Sequence, residues 1–163
     1  MPFAFAITAG TVVAKHMLGH LSPRVIATVG LLITVASSVW LSTAGSDAHF
    51  ATELLPGLSI LRLGIGMVFV PVSVTSMARI PASDAGVASG FLMTGHEIGA
   101  ALGLAVLSAV ASSTGSLVTA TGAADAFSAG FIGAAVMGAV FAVFALLRMP
   151  ATRVTGGGHM HMH

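Results

Sequence analysis

From Asp84 to Ser108 the chain reads DAGVASGFLMTGHEIGAALGLAVLS, and this stretch constrains the fold more than any other. It is long and apolar enough to cross a bilayer as one helix, yet His96 and Glu97 sit near its middle. Gly86 and Gly90, and then Gly95, Gly99 and Gly103, recur at a spacing of one helical turn. In a water-exposed helix each glycine costs up to ~1 kcal/mol relative to alanine. In lipid, small residues instead let helix backbones approach closely. The pattern therefore predicts a helix packed inside a membrane bundle.

At about 100° per residue, the stretch sorts into faces. Gly86, Gly90, Thr94, Glu97 and Ala101 share one narrow strip. Gly95, Gly99 and Gly103 form a second small-residue strip with His96 at its edge, and Val87, Phe91, Ile98 and Leu102 form a bulky one. The bulky strip is expected to face lipid and the glycine strips to face neighbouring helices. Glu97 would then look into protein or water, where an intramembrane carboxylate is tolerated.

The rest of the chain has the same character. It is 56% hydrophobic and only 7% charged, against about 25% charged in soluble domains, so it cannot cover a globule with polar surface. The expected class is all-α, a polytopic membrane bundle whose first partner is the lipid bilayer. No basic patch exists to bind nucleic acid. The absence of cysteine excludes disulfides, thiolate metal sites and cysteine nucleophiles. The opening apolar run has no basic segment before it, so no cleavable signal peptide is expected.

Apolar segments fall at about 1–14, 25–42, 54–77, 84–111 and 127–147. The first is shorter than the roughly 17–25 residues a span requires and reads as a transmembrane helix cut at its start. KHMLGHLSPR, Lys15–Arg24, is a tight polar turn. Pro56 suits a first-turn position, Pro71 should bend the third helix, and Asp84 can cap the fourth. Residues 1–149 thus form a bundle, and 150–163 a disordered tail rich in His and Met.

If each segment crosses once, Lys15, Arg24, Arg79, Arg148 and Arg153 lie on one side, while the opposite loops carry only Asp47, Glu53 and Asp125. The positive-inside rule then puts the C-terminus in the cytoplasm of a cell (plasma) membrane protein.

Arg62 and Glu97 are the charges deepest in apolar sequence. Arg62 lies about 12 Å from the outer start of its helix and Glu97 about 18 Å from the inner start of its own, at 1.5 Å per residue. In a ~30 Å core the two come to similar depth on consecutive antiparallel helices. Either Glu97, Arg62, His96 and Thr94 line a cavity for substrate or protons, or Arg62 and Glu97 form a pair that only fixes packing.

A zinc-protease helix needs a second His four residues after the first; position 100 is Ala. No enzyme and no cofactor are expected. His159, His161 and His163 alternate with Met160 and Met162, a run able to bind soft metals, but the plainer reading is an unstructured tail with no metal site.

With these residues in view, the chain resembles the major facilitator superfamily, and within it the C-terminal part of the fourteen-helix drug:proton antiporter branch. LPGLSILRLGIGMVFVPVSV (Leu55–Val74) is similar to that branch's glycine-rich helix ending in a Phe-Val-Pro turn. IPASDAGVASGFLMTGHEIGAALGLAVLSAV (Ile80–Val110) resembles its most recognisable segment. GTVVAKHMLGHLSPRVIATVG (Gly10–Gly30) resembles a second copy of the superfamily's loop signature, carried here by Gly10, Lys15, Gly19 and Arg24.

Two departures stand out. Thr94 and His96–Glu97 stand where many members have Asn and Arg-Gln, and the loop copy has Lys15 and His20 in place of Arg and lacks the acidic residue. The resemblance implies alternating access in a complete transporter, with efflux of small amphipathic substrates in exchange for protons. It also implies an N-terminal bundle missing from this chain, without which the chain is inactive. The alternative is a small integral membrane subunit for assembly or interaction, with no transport of its own.

Overall fold

A computed structural model describes residues 2–45, 52, 54–78, 80–114 and 118–149. Every regular element among them is helical: α1 Pro2–Leu18, α2 Pro23–Ser42, α3 Leu55–Met77, α4 Ala85–Thr114 and α5 Ala120–Arg148, with a short 3₁₀ turn at Ala82–Asp84. Helices α2 to α5 are each long and apolar enough to cross a membrane, while the described apolar part of α1 is shorter. This is a multi-pass membrane bundle.

Local chemistry sets the helix ends. Lys15 and His16 belong to the last turn of α1, where positive charge complements the exposed carbonyls. The Met17 carbonyl then accepts from the His20 and Leu21 amides at 2.9 and 2.7 Å. Pro23 opens α2, where its missing N–H costs nothing. At the other end of α2, the Ser42 and Thr43 hydroxyls donate to the Val39 and Trp40 carbonyls, both at 2.7 Å. A helix terminus leaves its last carbonyls without the partner four residues on, and the Trp40 carbonyl also accepts from the Thr43 amide at 3.0 Å.

Several boundaries differ from the sequence expectation: α1 runs on to Leu18, so Lys15 lies on the helix and not in the turn, α2 starts at Pro23 rather than 25, and α4 reaches Thr114 rather than 111. Helix α5 begins at Ala120 rather than near 127, so Asp125 lies on a helix and not in a loop. The alanines at 120, 123, 124 and 126 favour helix, and the Thr119 hydroxyl caps it, accepting from the Gly122 amide at 3.2 Å. Asp84 ends the 3₁₀ turn that runs directly into α4, and its carboxylate makes no capping hydrogen bond among the described residues. The tail and its His159, His161 and His163, together with Asp47, Glu53, Arg79 and Arg153, lie outside the described residues.

Helix α3 is central. It packs along α1 on one side and α2 on the other; α2 also packs on α5, and α4 joins the bundle mainly through α5. Glycine makes the closest crossings. A Cβ at Gly64 would stand 2.8 Å from the Gly30 carbonyl oxygen, and one at Gly66 would meet the Ile7 carbonyl oxygen at 2.5 Å. Gly10 lies inside α1 rather than in the following loop, with the Leu63 backbone directly against it. Side chains then fill the end of this core nearest the α1–α2 turn, with Ala14, Ile26, Met67 and Val70 buried together.

Hydroxyls buried in this apolar setting need partners. Thr11, Thr28 and Thr34 each donate to the carbonyl one turn back in their own helix, at 2.6, 2.8 and 2.9 Å.

Candidate functional site

The site grows from the C-terminal half of α3. Phe69, Val72, Ser73 and Ser76 are spaced by three and four residues, so they share one strip of the helix. Pro71, within this segment, has no N–H to give the Met67 carbonyl. Neighbouring hydroxyls bond locally instead: Ser73 donates to the Phe69 carbonyl at 2.8 Å and Thr75 to the Pro71 carbonyl at 2.6 Å.

Across from this strip stands α4. The His96 ring meets Phe69 edge-on, with centroids 5.8 Å apart and planes at 76°. Below that contact a cavity of about 270 Å³ lies between Phe69, Val72 and Ser73 on α3 and Phe91, Leu92 and Gly95 on α4. It continues past Phe91 and Leu92 into a wider cleft of about 950 Å³, whose mouth carries Ser76, Met77, Pro81 and Asp84. Val72 and Ser76 also border a third space of about 430 Å³, walled by Ala27 and Leu31 of α2 and by Phe141 and Phe144 of α5. The first two share Phe91 and Leu92 and make an apolar trough between α3 and α4, and Val72 and Ser76 on its α3 wall also border the third space.

The expected cavity residues divide. His96 lines the trough. Thr94 and Glu97 are exposed on the strip of α4 that also carries Gly86 and Gly90, and the Thr94 hydroxyl donates to its own helix at the Gly90 carbonyl, 2.9 Å away. Arg62 is exposed on α3. No salt bridge joins Arg62 to Glu97 within the described residues, so the pairing open from sequence is not made within this chain.

Glycine positions on α4 divide too. Among the described residues, nothing from another helix comes within 4 Å of a Cβ at Gly86, Gly90, Gly95 or Gly99, and Gly103 reaches the Met137 methyl at 4.0 Å. Contact with α5 tightens beyond that point, where Leu107 lies 3.1 Å from a Cβ at Gly133. Helix α4 has no buried residue, and Val87 and Phe91 on its bulky strip are 81% and 82% exposed. Of the loop-signature residues, Lys15 is exposed, Arg24 half-buried, and Gly19 has only its own His16 carbonyl nearby.

Sequence reading passed over the α3 strip and the place of Asp84 at the trough mouth. The signal for the strip was present in the three- and four-residue spacing of Phe69, Val72, Ser73 and Ser76. Nothing in the sequence said which neighbour it would face.

Fold and site define a class first: a multi-pass helical membrane protein with an apolar trough edged by a few polar groups. Comparison with known proteins narrows this. The chain is 30% identical over 113 residues to the puromycin resistance protein pur8 of Streptomyces alboniger, a match covering 68% of this chain and 22% of that protein. It is 29% identical over 158 residues to the cephamycin export protein CmcT of Amycolatopsis lactamdurans, covering 96% of this chain and 32% of that one. It is 28% identical over 110 residues to the multidrug resistance protein Stp of Mycobacterium tuberculosis, covering 68% of this chain and 20% of its relative.

No protein-family model matches. The chain is homologous to a portion of drug- and antibiotic-export proteins of the major facilitator type, and it spans about a fifth to a third of their length. These relatives are named for resistance or export and not for catalysis.

Proposed function

We propose that the chain supplies part of the C-terminal bundle of a secondary active exporter, which moves small amphipathic molecules out of the cell in exchange for protons. The observation that carries this reading is the match to CmcT along 96% of the chain. Helix α4 supports it physically. A charged side chain facing lipid at mid-membrane costs about 2.5–3.5 kcal/mol or more, so the exposed Glu97 strip calls for protein or water against it in the complete assembly. His96, Glu97, Thr94 and Arg62 would then contribute one wall of the transport path, and the rest would come from an N-terminal bundle. The mechanism is alternating access, in which the two bundles rock about a site between them.

One wall cannot bind and release substrate across a membrane. Purified chain in liposomes should therefore show no efflux of a cationic dye above protein-free vesicles when a proton gradient is imposed. Gradient-dependent dye movement by the chain alone would refute the reading. The inner side should be the one bearing Lys15, Arg24 and Arg148: an alkaline phosphatase fused after Arg153 should be inactive in intact cells and a fluorescent protein there should glow. The reverse pair of results would invert the topology.

A further inference from the structure

We propose that the space between α2, α3 and the last turns of α5 is a seat for one anionic phospholipid, with an acyl chain in the space and the phosphate between Arg24 and Arg148. The seat belongs to the bundle itself and does not depend on the exporter reading.

Helix register brings the two arginines to one mouth. A Cβ at Gly138 of α5 would lie 2.9 Å from a Val35 methyl of α2. The two helices run antiparallel, so eleven residues back from Val35 and eleven on from Gly138 bring Arg24 level with Met149. Arg24 precedes Ala27 and Leu31 by three and seven residues, and Arg148 follows Phe144 and Phe141 by four and seven. At helical spacing each arginine therefore continues the strip of its helix that lines the space.

The space itself suits a hydrocarbon chain. Its volume is about 430 Å³, and Ala27, Leu31, Val72, Phe141 and Phe144 are among its walls. Phe141 and Phe144 are 56% and 59% exposed, so the rim is open sideways. From Phe141 to Met149 the lining runs eight residues along α5, about 12 Å at 1.5 Å per residue. One leaflet's hydrocarbon is about 15 Å thick, half of a ~30 Å core, so the space follows most of a chain's depth. The Thr75 hydroxyl on the α3 wall is already donated to the Pro71 carbonyl at 2.6 Å. The arginines are the charged end of an otherwise apolar slot.

Charge selects the occupant. Among the described residues neither arginine forms a salt bridge. Asp84, the only described carboxylate at this end, borders the cleft between α3 and α4 and not this space. An apolar helix laid here would leave both guanidinium groups without an anion. A second copy on a two-fold axis would set the same arginines against each other. A lipid phosphate answers both, because guanidinium groups hold phosphate through paired N–H donors, and basic pockets between membrane helices take anionic headgroups.

Phe144→Trp in a Trp40→Phe background puts the single tryptophan on the wall of the space. The 163-residue chain would be reconstituted in mixtures of phosphatidylcholine and phosphatidylglycerol, with one or the other brominated on its acyl chains. Quenching then gives the relative affinity of the two lipids at that position. Phosphatidylglycerol should be favoured about 25-fold, about five-fold for each arginine. Arg24→Gln or Arg148→Gln alone should leave about five-fold, and the two together no preference. Arg24→Lys with Arg148→Lys keeps both charges and should retain most of it. Ile132→Trp in the same background, on an exposed position nine residues before Phe141, should show no preference. The complete transporter should behave as the chain does.

Equal quenching by both lipids at position 144 would mean no headgroup is selected. An equal preference at position 132 would mean diffuse attraction to the surface. A preference that survives loss of both arginines, or vanishes with both lysines, would mean these charges do not hold the lipid. Quenching by neither lipid would mean that protein covers the space, either a second copy or, in the complete transporter, another part of the polypeptide. Each of these results overturns the proposal.

Discussion

Gly64→Leu should prevent α2 and α3 from packing. A Cβ at Gly64 would lie 2.6 Å from the Thr34 hydroxyl oxygen and 2.8 Å from the Gly30 carbonyl oxygen, both on α2. A full leucine side chain there can be accommodated only by moving one helix off the other. Overpacking a fitted core costs about 1–3 kcal/mol, and more where backbone is the obstacle, so the expected loss is at least about 3 kcal/mol. That is a large share of the ~5–15 kcal/mol that holds a typical domain together.

The single tryptophan, Trp40, stands at the end of α2 and reports that helix's environment. Denaturant titration in mixed micelles, followed by Trp40 fluorescence, should show the midpoint fall or the transition vanish. Gly90→Leu is the control, because among the described residues nothing from another helix lies within 4 Å of a Cβ at that position. It should be neutral or gain up to ~1 kcal/mol from better helix propensity. Equal stability of Gly64→Leu and the parent chain would refute the glycine crossing.

Glu97→Gln in the complete transporter should cut proton-driven efflux by about 100-fold, the lower end of what a positioned proton-transfer group supplies. The substitution keeps size and removes only the ionisable oxygen, so folding should be preserved. Substrate–substrate exchange across the membrane, which needs no net proton movement, should survive far better. That split separates a coupling role from a structural one, since a packing defect would depress both modes together. Unchanged activity with an unchanged pH profile would eliminate Glu97 as a coupling group.

Much of the bundle was legible from residues alone. The spans at α2 and α3 follow from long apolar runs, with Arg62 the one charge inside α3, although α2 begins at Pro23, two residues earlier than expected. The start of α5 was placed too late because a Ser/Thr/Gly-rich stretch reads as loop. Ala120–Ala126 is helical all the same, since alanine propensity and the Thr119 cap act locally and outweigh the glycine at 122. Gly10 was grouped with the following loop because a motif is read along the chain. Its position against Leu63 comes from a helix crossing that no linear spacing encodes.

Hydropathy, glycine spacing and the scarcity of charge determined by themselves that this protein is a membrane bundle and that α4 carries separate glycine and bulky strips. Helical periodicity decides which residues share a strip, because it is a property of one helix. Tertiary structure alone decided which strip meets which neighbour. It turned His96 toward Phe69, kept Arg62 from Glu97, and left Gly95 beside the trough between α3 and α4. Those outcomes depend on the directions in which several helices cross, and crossing directions arise from the fit of whole surfaces rather than from any one segment.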